Sequence, residues 1–153
     1  MDASLTNNCF SRLMYWCDWG KTEKIEKATM DGNNRTLLVQ TRGTSPLGLA
    51  LDSDNRRLYW VASPGSLAFL DLDKGTTVQL LSGAISIAVS FGLTLDEKYL
   101  YWTDAKSHAV YRADKSTAKN PIKILPWLGS PRDVRAFNLV GYREAGTSDH
   151  FNL

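Results

Sequence analysis

Cysteine is scarce. Only Cys9 and Cys17 occur among 153 residues, which excludes a disulfide-dense scaffold and leaves open whether the two pair or stand as separate buried thiols. The two histidines, His108 and His150, have no metal-ligand spacing, so no zinc-type cluster is expected. Long apolar runs are also missing. The best stretch, 83–95, is broken by Ser86, Ser90 and Thr94, short of the ~18 residues a membrane span needs. Residues 1–8 lack the basic start and apolar stretch of a signal peptide. The chain alone is therefore expected to carry neither leader nor membrane-inserted segment. No sign of charge dominates: 18 Lys and Arg face 16 Asp and Glu, a net charge of +2. The basic residues form no block, which argues against nucleic acid as partner. Catalytic signatures are absent as well. There is no Gly-x-Ser-x-Gly, Ser107 and His108 are merely adjacent, and neither common phosphate loop occurs. No cofactor and no enzymatic activity are expected.

What is present is aromatic and repetitive. Five Trp, six Tyr and five Phe lean toward β-structure. Three Tyr-Trp pairs, Tyr15-Trp16, Tyr59-Trp60 and Tyr101-Trp102, place their tryptophans 44 and then 42 residues apart. A second element recurs in phase: Leu47-Gly48-Leu49-Ala50-Leu51-Asp52, then Phe91-Gly92-Leu93-Thr94-Leu95-Asp96, then the degenerate Arg132-Asp133-Val134-Arg135-Ala136-Phe137. A period near 42 admits helical repeats or four-stranded blades. Local alternation of apolar and polar residues, bounded by Gly, Pro, Asn and Asp, decides for strands. The middle copy reads as strands 47–52, 57–62, 67–72 and 77–81. The expectation is an all-β partial propeller of about three antiparallel blades, 13–46, 47–89 and 90–130. Residues 1–12 form a degenerate start, 131–137 an inner strand of a following blade, and 138–153 an unassigned tail.

The stretch Tyr15-Trp16-Cys17-Asp18-Trp19-Gly20, followed by Lys24-Ile25-Glu26-Lys27-Ala28 and Met30-Asp31-Gly32, resembles the YWTD (class B) repeat of the low-density lipoprotein receptor family, as does the intact Tyr101-Trp102-Thr103-Asp104. The resemblance covers roughly residues 13–137. It implies half of a six-bladed propeller and an extracellular module of a receptor-related protein, of endocytic or Wnt co-receptor type. Such a chain would be a fragment of a larger receptor at the outer face of the plasma membrane. Implied partners are a secreted lipoprotein, Wnt-pathway or matrix protein, and either the remaining blades or a second copy. Rival readings are a nidogen-like matrix protein and a calcium-dependent lactonase of the same blade number. For the lactonase, Asp52, Asp96 and Asp133 are the only acidic inner-strand candidates.

The resemblance casts Tyr15, Trp16, Asp18, Tyr59, Trp60, Tyr101, Trp102, Thr103 and Asp104 as structural. The aromatics fill the wedge between blades, and the aspartates hydrogen-bond to an adjacent blade, a bond that Ala62 deletes in the middle copy. The ligand face comprises loops 19–23, 41–45, 63–66, 82–90, 105–107 and 126–130. Trp19, Arg42, Lys106 and Trp127 are its candidate contacts, because aromatic and Arg side chains make strong anchors. Asn34-Arg35-Thr36 is a glycosylation acceptor sequence in a turn.

Overall fold

The computed structural model describes residues 5–8, 12–83, 91–126 and 129–136, and these contain strands and no helix. Twelve strands form three four-stranded antiparallel sheets, each in chain order. The first holds β1 (Leu5–Asn8), β2 (Leu13–Asp18), β3 (Lys24–Thr29) and β4 (Thr36–Gln40). The second holds β5 (Ser45–Asp52), β6 (Arg57–Ser63), β7 (Ser66–Asp71) and β8 (Thr76–Leu81). The third holds β9 (Leu93–Leu95), β10 (Tyr99–Asp104), β11 (Ala109–Asp114) and β12 (Ile122–Leu125). The architecture is a partial β-propeller. No described helix is long and apolar enough to cross a membrane.

The blades stack because the period-two alternation gives each middle sheet two apolar faces. Leu58, Trp60 and Ala62 of β6 face the first blade and pack with Tyr15, Cys17 and Ile25. Tyr59 and Val61, on the opposite face, pack with Leu93, Leu100 and Trp102 of the third blade. Tyr15 and Tyr59 thus point toward the following blade, and Trp60 and Trp102 toward the preceding one. Trp102 is fully buried and stacks on Tyr111 at 5.9 Å between ring centroids. Trp16 has no described blade on its side. It is half-buried beneath Arg35, whose guanidinium lies 5.4 Å from the ring and is pinned by two bonds to Glu26, 3.0 and 2.6 Å long. The cross-strand partner of Trp16 is Glu26, whereas those of Trp60 and Trp102 are Ala68 and Tyr111. A charged clamp therefore lies over Trp16, where a neighbouring blade packs on Trp60 and Trp102. The Arg35 bonds hold the Glu26 carboxyl below its ordinary range, against the opposing effect of burial.

Inner strands of neighbouring blades pass very close. A Cβ placed on Gly48 would lie 2.5 Å from the Phe91 carbonyl oxygen, and one on Gly92 would lie 2.7 Å from Asp133 Cα. Residues 131–136 therefore run beside β9 much as Phe91 and Gly92 run beside β5, and Ala136 N donates to Thr94 Oγ1 at 3.0 Å. They pair in no described sheet.

A β-bulge recurs between third and fourth strands of all three blades, at Ile25/Glu26, Leu67/Ala68 and Val110/Tyr111. In the second blade the Gln79 carboxamide fills the gap, donating to Ser66 Oγ at 2.7 Å and to Leu67 O at 3.2 Å.

Cys17 is a free thiol with 1% exposure, inside the packing between the first two blades. Cys9 lies outside the described residues. Burial pushes the Cys17 thiol far above its ordinary range, and only thiolate reacts. Peptide-resolved alkylation should therefore leave Cys17 unmodified in native buffer and label it fully in denaturant. Native labelling at the rate of a free thiol would contradict this packing.

Candidate interaction face

Antiparallel strands in chain order put the second-to-third-strand loops and the blade-to-blade connections at one end of every sheet. Described residues at this end are 19–23, 41–44, 64–65 and 105–108, together with the start of the segment after β12. Trp19 is 38% exposed there, and Lys21, Arg42 and Lys106 are exposed on loops at the same end. Trp127 lies outside the described residues, as does most of loop 82–90.

The carboxylates at this end are spent on architecture. Asp18 accepts from Gly20 N at 3.1 Å and lies 3.8 Å from Lys24 Nζ. Glu23 accepts from Gly43 N at 3.0 Å and Ser45 Oγ at 3.3 Å, tying two loops together. Asp104, with no exposure, accepts from Lys106 N at 3.2 Å and Ser107 N at 3.1 Å. Lys21, Arg42 and Lys106 form no salt bridge with a described residue. The solvent-facing charge of these loops is therefore positive, and Trp19 is exposed at the same end.

The motif aspartates thus cap the turn that follows each of them. The middle blade shows why Ala62 can stand there. The residue two positions on is Pro64, which has no N–H to give, so an acid at 62 would lack the donor that Asp18 finds in Gly20 and Asp104 in Lys106. Thr103, the third motif residue, is fully buried and holds the start of the inner strand. Its Oγ1 accepts from Gly92 N at 3.0 Å, and its N–H donates to Gly92 O at 3.1 Å.

The opposite end carries the inner-strand acids. Asp52, 3% exposed, meets Lys115 Nζ of the third blade at 2.8 Å and Asn55 Nδ2 at 2.9 Å. Lys115 also donates to Asp96 O at 3.2 Å, closing an inter-blade bridge beside a cleft of about 200 Å³. Asp96 accepts from Tyr101 Oη at 2.7 Å and from the N–H groups of Lys98 and Tyr99, at 2.8 and 2.7 Å. Asp133 is bound by Val134 N and by Arg135. Each of these carboxylates is committed to protein donors. Among the described residues no three His, Cys, Asp or Glu side chains converge as a metal site requires. Sequence reading missed Lys115 and the Glu26–Arg35 clamp. Lys115 follows the third strand in phase with Leu72, a partly buried apolar residue, and that one polar-for-apolar exchange was the available signal.

Residues 12–53 match the family described as low-density lipoprotein receptor repeat class B. The chain is 34% identical over 109 residues to the vitellogenin receptor of Drosophila melanogaster and 35% identical over 108 residues to that of Solenopsis invicta. These alignments cover 71% and 70% of the chain but only 5% and 6% of the receptors, so the chain spans a small part of the length of the curated relatives it matches. Among solved structures, a nidogen/laminin complex aligns with TM-score 0.68 at 26% identity, over 82% of this chain and 46% of that one. A gluconolactonase from Xanthomonas campestris aligns with TM-score 0.64 at 15% identity, over 79% and 46%, which speaks to the fold alone.

Proposed function

We infer, from a chain built of low-density lipoprotein receptor class B (YWTD) repeats, that it is part of an extracellular protein-binding propeller in an endocytic receptor. The kinship with vitellogenin receptors favours uptake of a secreted protein over Wnt signalling. The ring is completed by further blades, in the same polypeptide or a second copy, because the blade motif leaves a Trp face on one side and a Tyr face on the other. The observation that carries the binding assignment is the loop end holding Trp19, where the acids are tied into the loops and Lys21, Arg42 and Lys106 face solvent. Such a surface selects an acidic segment of the partner, with Trp19 as the apolar anchor and the cations setting orientation and on-rate. Trp127 is proposed for the same face. The calcium-lactonase reading is set aside, because Asp52, Asp96 and Asp133 already have protein donors.

Purified vitellogenin and purified laminin, each passed over immobilised chain, test this reading. Vitellogenin is expected to bind more weakly as salt rises, and Arg42→Glu with Lys106→Glu should reduce its affinity at least tenfold, about 1.4 kcal/mol. Binding unaffected by both reversals would remove the loop face from the account. Preference for laminin would move the protein to the matrix class.

A further inference from the structure

The turn joining β3 to β4 is built from inside by Asp31, leaving one carboxamide unused. The Asp31 carboxylate accepts from Asn33 N at 3.1 Å, from Asn33 Nδ2 at 3.0 Å and from the Thr29 hydroxyl. Thr29 N donates to Asn33 O at 3.0 Å and Gly32 N to Thr29 O at 2.8 Å, closing the loop. Asn33 is thereby consumed. Asn34 follows in the left-handed region, with φ 55°, exposed on the surface. Its side chain takes no hydrogen bond from a described residue, while Thr36 Oγ1 donates to its carbonyl at 3.0 Å. Asn34-Arg35-Thr36 is the one Asn-x-Ser/Thr sequence in the chain. The surface around it is apolar without being covered. Met30 is 50% and Leu37 53% exposed, and a cavity of about 530 Å³ beside the turn is lined by Arg12, Thr29, Met30 and Asp31.

We propose that Asn34 carries an N-linked glycan that covers the Met30 and Leu37 surface and closes this end of the first blade to protein partners. The proposal rests on the extracellular reading above, since the acceptor must meet the secretory glycosylation machinery. The chemistry is an N-glycosidic bond between Asn34 Nδ2, which gives up a proton, and the anomeric carbon of a sugar from a lipid-linked oligosaccharide, whose bond to the lipid diphosphate breaks as that diphosphate leaves. The third residue must supply a hydroxyl, which Thr36 does. The β3–β4 turn lies at the end of the sheets opposite Trp19, Arg42 and Lys106. A bulky, hydrated sugar there leaves the loop end as the accessible face.

The test expresses the chain behind a heterologous leader in a secreting eukaryotic cell. Peptide-N-glycosidase should lower the apparent mass of the secreted wild type and leave aspartate at position 34 in its peptide. Asn34→Gln and Thr36→Ala should abolish the shift, and Thr36→Ser should retain it. A control adds Lys74→Asn to Asn34→Gln, creating Asn-Gly-Thr in the equivalent turn of the second blade, where Gly75 and Thr76 are exposed. Sugar on the control with none at Asn34 in the wild type would overturn this proposal and leave the extracellular reading standing. Sugar on neither would overturn both.

Discussion

Gly48→Ala is expected to destabilise the chain by about 3 kcal/mol, at the upper end of what overpacking does in a closed core. One methyl group has this effect because the atom it meets cannot move alone. The added carbon would lie 2.5 Å from the Phe91 carbonyl oxygen and 3.0 Å from Val61 Cγ2. Backbone is on one side, and β5 is held by seven paired positions to β6 on the other. Relief therefore requires the second and third blades to part, loosening the contact that buries Tyr59, Leu93 and Trp102. Gly92→Ala should behave alike, since its new carbon would lie 2.7 Å from both Asp133 Cα and Val134 N. Gly129→Ala serves as control, with nothing within 4 Å. Urea midpoints compare the three. Domains have only ~5–15 kcal/mol in hand, so the first two should shift visibly and the third should not. An unchanged midpoint for Gly48→Ala would mean the blades are not packed at this distance.

Lys115→Met should rank beside it, at about 3 kcal/mol, because it strands a buried carboxylate. Burial alone would raise the Asp52 carboxyl. The Lys115 hydrogen bond, the Asn55 bonds and the Lys115 charge overcome that effect, and the net position is below the ordinary range. A carboxyl depressed on folding stabilises above its unfolded value, about 3.9, and that stabilisation is lost as pH falls through the lower folded value. In the variant only burial and Asn55 remain, so Asp52 should titrate higher. The difference between wild type and variant is therefore expected to be largest at neutral pH and to narrow toward pH ~4. Asp52→Asn with Lys115→Met should recover part of the loss. A deficit independent of pH, with no recovery in the double variant, would assign the effect to packing of the lysine stem.

The blade architecture was legible because it rests on composition at fixed intervals. The Tyr-Trp pairs and Gly48/Gly92 each mark a strand and its place in the blade, and alternation told strand from helix without long-range information. The reason for those glycines was not legible, since it lies in the backbone of the next blade. The Lys115–Asp52 bridge was hidden for the same cause: its partners belong to different repeats, and only one of the two lies in a recurring motif. Ala62 looked like a deletion when set against Asp18 and Asp104. The turn that follows it differs too, and Pro64 removes one of the two backbone donors that Asp104 uses. The loop face was partly legible. Trp19, Arg42 and Lys106 stand out as residue types in loops, but a line of text does not tell which acids, such as Glu23, are already occupied.

The recurring bulge beside the outermost strand bears on how such a protein avoids its own kind. Four of the exposed large apolar residues, Leu37, Val78, Ile122 and Leu125, lie on β4, β8 and β12, the strands whose outer backbone edge has no partner in the sheets described. A flat apolar edge is a template on which a second molecule can lay a strand and begin a fibril. Each of these edges is bent out of regular register by its bulge, so an incoming strand would meet a broken row of donors and acceptors. The irregularity repeated at the outer strand of each blade thus lets the chain carry apolar residues there without offering a regular row along which copies could polymerise.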